Sequence, residues 1–279
     1  MSGNPIKAII ERLKEFRRPG YYKNYDHKWT MVIDLDRCNG CEACVTACYA
    51  ENNLPVVGKE DCGNSRVMNW IRVERYVAGE YPDVKVKFIP ILCQQCSKAP
   101  CELGCPVYAT YHNQDGLNVQ VYNRCVGTFT CATYCPYDVR RFNWFTYKWD
   151  APLEQQLNPD VTVREMGVME KCTFCIQRIR AGKDKAKDEG RAVKDGDITP
   201  ACAQSCPAGA FTFGDLNDPE SRVSMLAKSR RRFRLFEELN TEPSVIYLKK
   251  VFADGGGNPP VGGHTLAGGH PPVKEGHGG

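Results

Sequence analysis

Cys38-Asn-Gly-Cys41-Glu-Ala-Cys44-Val-Thr-Ala-Cys48 decides how this chain is read. Four cysteines separated by two, two and three residues open a pattern that returns three more times in altered form. The second run is Cys93-x2-Cys96-x4-Cys101-x3-Cys105. The third is Cys125, then Cys131-x3-Cys135, and the fourth is Cys172-x2-Cys175, then Cys202-x3-Cys206. In these last three the final cysteine precedes a proline, Pro106, Pro136 or Pro207, whereas Tyr49 stands there in the first. The runs use fifteen of the sixteen cysteines in 279 residues. Cys62, in Asp61-Cys62-Gly63, is left over and is read as a free thiol that ligates nothing.

Several classes fall away at once. A disulfide scaffold does not fit, because such cysteine density belongs to short secreted chains. Ile6 to Leu13 is interrupted by Lys7, Glu11 and Arg12, and Arg17-Arg18 runs into Pro19-Gly20, so neither export signal is expected. No apolar run reaches the roughly 18 residues a membrane span needs. The formal charge of +4 is small for this length, so nucleic acid is not an expected partner.

The spacing has a physical reason. Three thiolates on one tight loop can wrap three irons of a cubane. The fourth lies one helical turn on, faces the other way and reaches a second cluster, which draws its remaining thiolates from a partner motif. The proline after the last cysteine has no N–H to donate and fixes the chain as it leaves. Zinc is the competing reading, since Cys-x2-Cys pairs are common in four-thiolate zinc sites. Zinc needs no third cysteine two residues on and does not explain the repeated Cys-Pro. Iron–sulfur ligation is therefore expected, in the bacterial ferredoxin pattern.

The chain resembles the four-cluster ferredoxin-type electron-transfer subunits of the dimethyl sulfoxide, polysulfide and nitrate reductase assemblies. It is most similar to the iron–sulfur part (ActB-like) of quinol-oxidising alternative complex III. The stretches that carry the resemblance are Met31-Val-Ile-Asp-Leu-Asp-Arg-Cys38, Ala50-Glu-Asn-Asn-Leu-Pro-Val-Val-Gly-Lys59 and Tyr122-Asn-Arg-Cys-Val-Gly-Thr128. Cys135-Pro-Tyr-Asp-Val-Arg-Arg-Phe-Asn143, Gly167-Val-Met-Glu-Lys-Cys172 and Phe213-Gly-Asp-Leu-Asn217 add to it. Together they cover roughly residues 28–220.

The resemblance implies that the first motif pairs with the fourth and the second with the third. Cluster one would take Cys38, Cys41, Cys44 and Cys206, and cluster two Cys172, Cys175, Cys202 and Cys48. Cluster three would take Cys93, Cys96, Cys101 and Cys135. Cluster four would have only Cys125, Cys131 and Cys105, because Thr128 stands where the next cysteine should fall. A corner iron without a thiolate is readily lost, so three [4Fe-4S] centres and one [3Fe-4S] centre are expected. The alternative is a fourth cubane whose last iron is held by water or by the Thr128 hydroxyl.

The implied function is electron transfer between an integral membrane quinone-binding subunit of NrfD-like type and a molybdopterin-like or cytochrome c redox subunit. The implied setting is a hetero-oligomeric respiratory or photosynthetic complex, peripheral on the membrane, with the periplasmic face favoured. The alternatives are the electron-transfer subunit of a molybdopterin reductase and a stand-alone iron–sulfur reductase. No catalytic acid–base set, phosphate loop or dinucleotide fingerprint is evident, so no residue is assigned as catalytic. The chain is read as a non-catalytic redox subunit. His27 and His112 are read as structural or surface residues. Arg124, Arg140 and Arg141 are candidates to compensate cluster charge or to form surface ion pairs. Trp144, Phe145, Tyr147 and Trp149 form an aromatic patch for docking or for core closure.

The fold class that follows is α+β, with two interleaved ferredoxin-like modules, wrapping loops and terminal extensions. One module is built from 28–60 plus 165–218 and the other from 85–145. Residues 1–27 form an N-terminal extension with an amphipathic helix from about Pro5 to Phe16. Residues 219–252 form a C-terminal helix and extension. Residues 253–279, with ten glycines, four prolines and three histidines, form a tail too poor in apolar side chains to order itself. Strands are predicted at Trp29–Leu35, Val84–Leu92 and Val119–Tyr122, and helices at Val168–Ala181 and Ser221–Leu239. Short helices are expected to carry the later cysteines of each run. The helical stretch from Ser221 carries a basic run, Lys228, Arg230, Arg231, Arg232 and Arg234, read as a solvated face or a contact for an anionic surface.

Overall fold

A computed structural model describes residues 25–252. The expected N-terminal helix and the histidine-bearing tail lie outside the described residues. The molecule mixes short helices with small sheets, as an α+β reading requires.

Strand β1, Trp29–Asp34, is the centre of the largest sheet. Its first five residues are buried, on both faces of the strand. Trp29, Met31 and Ile33 enter the main core, while Val32 enters a second cluster with Val223, Ile246 and Leu248. Loops and a second sheet follow. The helix Ala43–Glu51 carries Cys44 and Cys48. Strands β2 (Ile71–Ala78) and β3 (Lys85–Leu92) form an antiparallel hairpin within the long connection after the first motif. Strands β4 (Thr110–His112) and β5 (Asn118–Gln120) form another, and β6 (Arg141–Phe142) pairs with β7 (Met169–Glu170). The four-stranded sheet is completed by β8 (Phe211–Asp215), β9 (Arg232–Phe233) and β10 (Val245–Leu248), in the order β8-β1-β10-β9. β10 runs parallel to β1, and β8 and β9 run antiparallel to their neighbours. Residues beyond 219 thus supply two strands to the sheet that begins with the first motif.

Cys101, Cys131 and Cys202 sit in short helices, Pro100–Leu103, Thr130–Thr133 and Ala201–Gln204. The Ala43–Glu51 helix packs on Ala201–Gln204, and Pro100–Leu103 packs on Thr130–Thr133. Each contact brings the helix of one motif against the helix of another.

Three expectations need correction. The helix predicted over Val168–Ala181 is strand β7, a tight loop through Cys172–Cys175, and then a helix from Ile176 to Asp188. Phe174 and Cys175 adopt positive φ, 55° and 54°, which no right-handed helix can contain. The helix predicted over Ser221–Leu239 is confined to Arg222–Leu226, with the Ser221 hydroxyl accepting from the Ser224 N–H at its start. The chain then leaves helical geometry because Arg232 and Phe233 pair with Leu248 and Tyr247. The basic run is therefore divided: Lys228, Arg230 and Arg232 are exposed, while Arg231 ion-pairs with Asp34. The strand predicted at Val119–Tyr122 is shifted to Asn118–Gln120, and Tyr122–Arg124 is a 3-10 turn.

Candidate metal centres

All sixteen cysteines are free of disulfides, and eight of them belong to the main buried core. Fifteen fall into four sets of electrostatic neighbours, although among the described residues no set is drawn in tightly enough to hold a metal ion as it stands. Burial pushes the Cys44 thiol up to about 12, and Cys38, Cys206 and Cys41 lie close enough to add to the rise. Burial also drives Cys48 far upward, reinforced by Cys172, Cys175 and Cys202. Cys96 is raised by burial and then by Cys93, with Cys101 and Cys135 beside it. Cys131 is raised by burial and has Cys125 and Cys105 as neighbours. Cys62 is exposed in a short turn of helix, outside every group.

The first loop owes its shape to two residues. Gly40 has φ +76°, and a Cβ there would lie 2.4 Å from the Phe88 ring. Glu42 follows with φ 59°. Cys44 and Cys48 then stand one turn apart in the same helix. Residues at i and i+4 share a face, so Cys48 does not face away from Cys44 as expected from the spacing. It reaches a different group by the rise of about 6 Å along the axis.

A repeated turn follows the last cysteine of the other three motifs, and spacing alone did not reveal it. Cys105, Cys135 and Cys206 are each followed by proline, and the third residue on adopts positive φ: Tyr108 at 52°, Asp138 at 47°, Gly209 at 58°. That conformation turns the next backbone N–H onto the sulfur. Ala109 N–H donates to Cys105 Sγ at 3.1 Å and Ala210 N–H to Cys206 Sγ at 3.3 Å. Val139 N–H does the same for Cys135. In the first motif, where Tyr49 replaces proline, the helix runs on and the Asn52 side chain donates to Cys48 Sγ at 3.5 Å. Met169 N–H donates to Cys125 Sγ at 3.3 Å. Thiol sulfurs approached by N–H donors are a donor set suited to thiolate ligation of iron, because the donors stabilise negative charge on sulfur.

The groups also adjoin one another in order. Cys202 of the second lies near Cys44 of the first. Cys172 of the second lies near Cys93 of the third, and Gln95 in the third group's loop donates to the Cys172 carbonyl at 2.9 Å. Between the third and fourth lies Arg140, 3 % exposed, whose Nη2 donates to Cys101 Sγ at 3.1 Å. Cys131 is the next cysteine neighbour of the same guanidinium.

Of the other sequence candidates, Arg124 is exposed and lies 5.8 Å from the Tyr111 ring, and Arg141 pairs with exposed Asp138. His27 Nδ1 lies 2.7 Å from Asp215, and His112 Nδ1 is buried 2.8 Å from Glu102. Trp144 is 45 % exposed, edge-on to Phe142 and under Arg66, so the aromatic patch is only partly covered. Thr128 is exposed, and its Oγ1 accepts from the Thr130 hydroxyl at 3.2 Å. Gly127 beside it has φ +70°, and a Cβ there would lie 2.5 Å from the Gly167 carbonyl oxygen. Exposed apolar residues flank the fourth group in sequence: Val107, Tyr108, Val126, Phe129 and Tyr134.

Residues 31–51 match the 4Fe-4S binding domain, and residues 84–152 match the 4Fe-4S dicluster domain. The chain is similar to the menaquinone reductase iron–sulfur cluster-binding subunit of Nitratidesulfovibrio vulgaris, 47 % identical over 82 % of this chain and 91 % of that protein. It is similar to the arsenate respiratory reductase iron–sulfur subunit of a Shewanella species, 32 % identical over 78 % of this chain and 95 % of that protein. It is also similar to the Hdr-like menaquinol oxidoreductase iron–sulfur subunit 1 of Archaeoglobus fulgidus, 34 % identical over 80 % of this chain and 83 % of that protein.

Proposed function

The chain belongs to the iron–sulfur subunit family shared by menaquinone reductase and the molybdopterin-type reductases, and on that premise we propose that it conducts electrons between a membrane quinone-handling subunit and a second redox subunit. The observation that carries this reading is the unbroken order of the four cysteine groups. Electron tunnelling falls off steeply with distance, so an adjoining series can act as a wire where scattered sites could not.

Cys38, Cys41, Cys44 and Cys206 would hold one [4Fe-4S] cluster, and Cys48, Cys172, Cys175 and Cys202 a second. Cys93, Cys96, Cys101 and Cys135 would hold a third. Cys105, Cys125 and Cys131, with Thr128 at the vacant ligand position, would hold a [3Fe-4S] cluster. Clusters bound there supply one-electron redox chemistry. The chain's own residues do the rest. Core packing excludes water from most of the ligands, and the repeated Cys-Pro turns aim N–H donors at the sulfurs. The packing of the first motif's helix on the fourth's, and of the second's on the third's, supports two interleaved modules, 28–60 with 165–218 and 85–145. Among the described residues no helix is long and apolar enough to cross a membrane. Membrane association would therefore come through a hetero-oligomeric complex, on the periplasmic face, with an NrfD-like quinone-binding subunit and a molybdopterin-like or cytochrome c partner. The resemblance to alternative complex III supports a quinol as electron donor.

The test is the intact complex, purified anaerobically and mixed with a reduced menaquinol analogue. The expected result is quinol-dependent change in the cluster EPR signals, blocked by a quinone-site inhibitor. Clusters that exchange electrons with a soluble donor but never with quinol would overturn the quinone assignment.

A further inference from the structure

Arg140 is the residue whose surroundings the ligand count leaves unexplained. Its guanidinium is buried, and its hydrogen-bond acceptors carry no carboxylate. Nη1 donates to Gln120 Oε1 at 2.8 Å; Nη2 donates to Thr110 Oγ1 at 2.7 Å, Asn118 Oδ1 at 2.9 Å and Cys101 Sγ at 3.1 Å. The other charged groups of this network act one step removed. Glu102 Oε1 accepts from Asn118 Nδ2 at 2.6 Å with His112 beside it, and Lys171 Nζ donates to the Asn118 carbonyl at 2.5 Å. Arginine stays charged at every accessible pH, and an uncompensated buried charge carries a large desolvation penalty. The negative charge that meets it comes from sulfur. Cys101 belongs to the third group, and Cys131 of the fourth lies on the helix Thr130–Thr133 that packs against the helix carrying Cys101.

We propose that Arg140 is a positioning residue shared by the third and fourth centres, a single fixed cation that raises the reduction potential of both above those of the first and second. The inference rests on the ligand assignment proposed above. Reduction adds negative charge to a centre, and a cation hydrogen-bonded to its ligand sulfur stabilises the reduced form. Of the cations beside the second group, Lys171 bonds to the Cys172 carbonyl at 3.0 Å and Arg178 to the Glu51 carboxylate, neither to a sulfur. The third and fourth centres would then form the oxidising end of the series.

The experiment is an EPR-monitored redox titration of the full chain in its complex, with iron content measured on each sample. Arg140→Met removes the charge, Arg140→Lys keeps it, and Gln120→Glu sets a carboxylate against the guanidinium while leaving it in place. In Arg140→Met and Gln120→Glu, the ratio of reduced to oxidised form at fixed potential should fall at least about tenfold for two centres. That is a downward shift of about 59 mV for one electron. One of the two is recognisable by its oxidised three-iron signal. The other two centres should hold their midpoints, and Arg140→Lys should stay near the unaltered protein. Equal shifts in all four centres, or none with iron retained, would overturn the proposal. If Arg140→Met loses its iron, Gln120→Glu decides by the same criterion. An unaltered chain without iron would instead overturn the ligand assignment itself.

Discussion

Thr128 stands where the motif spacing calls for a fourth sulfur, and its exposed side chain accepts a hydrogen bond from the Thr130 hydroxyl. Thr128→Cys should convert the three-iron centre to a four-iron one. The oxidised three-iron EPR signal should disappear, with about one more iron per chain; a persisting signal would show that the position cannot supply a ligand. A second residue-scale prediction concerns Arg164 and Glu170, both buried and 3.0 Å apart. Arg164 also donates to the carbonyls of Asn52, Asn53 and Thr162 and lies 5.1 Å from the Trp70 ring. Glu170→Gln leaves that guanidinium buried without its counter-charge and should cost about 3–5 kcal/mol, read by chemical denaturation. The cysteines were legible in the sequence because their spacing is the signal. Arg164 was not, because nothing local marks a side chain whose partners, Asn52, Asn53 and Trp70, come from a distant part of the chain.

Elements are joined by similar long-range ties. Glu51 ends the helix that carries Cys44 and Cys48, and Arg178 lies in the helix that follows Cys175. Arg178 Nε and Nη2 grip the two Glu51 carboxylate oxygens at 2.8 and 2.7 Å, and Gln177 adds a third bond at 2.9 Å. Burial pushes the Glu51 carboxyl up, but these hydrogen bonds outweigh it and its pKa is lowered. A lowered folded pKa means stability that is present above the unfolded value, about 4.3, and lost as pH falls through the folded value. Glu51→Gln should therefore cost about 1–3 kcal/mol near neutral pH. The deficit should shrink as pH drops below about 4.3, in paired urea titrations. A deficit independent of pH would mean that packing rather than charge joins the helices. At this scale the sequence was a partial guide. The buried strand at Trp29 announced itself by Trp29, Met31, Val32 and Ile33 set close together. The helical periodicity over Ser221–Leu239 misled, because Phe233 and Leu235 face the core from a strand and the turn beyond it, which a period count cannot distinguish from a helix.

Across the whole molecule, the cysteine groups occupy the places where a domain of this size would keep apolar side chains. Cys44, Cys48, Cys93, Cys96, Cys101, Cys131, Cys172 and Cys202 are all part of the main core. Their thiols are a poor core without metal, since they converge in groups and resist ionisation by burial. Ligation should therefore supply much of the folding free energy, as it does in other thiolate sites. Stripping iron with an anaerobic chelator should collapse the near-UV circular dichroism and expose the chain to protease; a compact iron-free protein would contradict this. Charge changes with the clusters as well. Oxidised centres with their thiolates carry about −2 each, so the formal +4 of the bare chain becomes roughly −4. The most direct measurement is iron and acid-labile sulfide per chain after anaerobic purification. The expected value is about fifteen irons, as three four-iron centres and one three-iron centre. A colourless protein holding about one zinc per four cysteines and no iron would contradict the account.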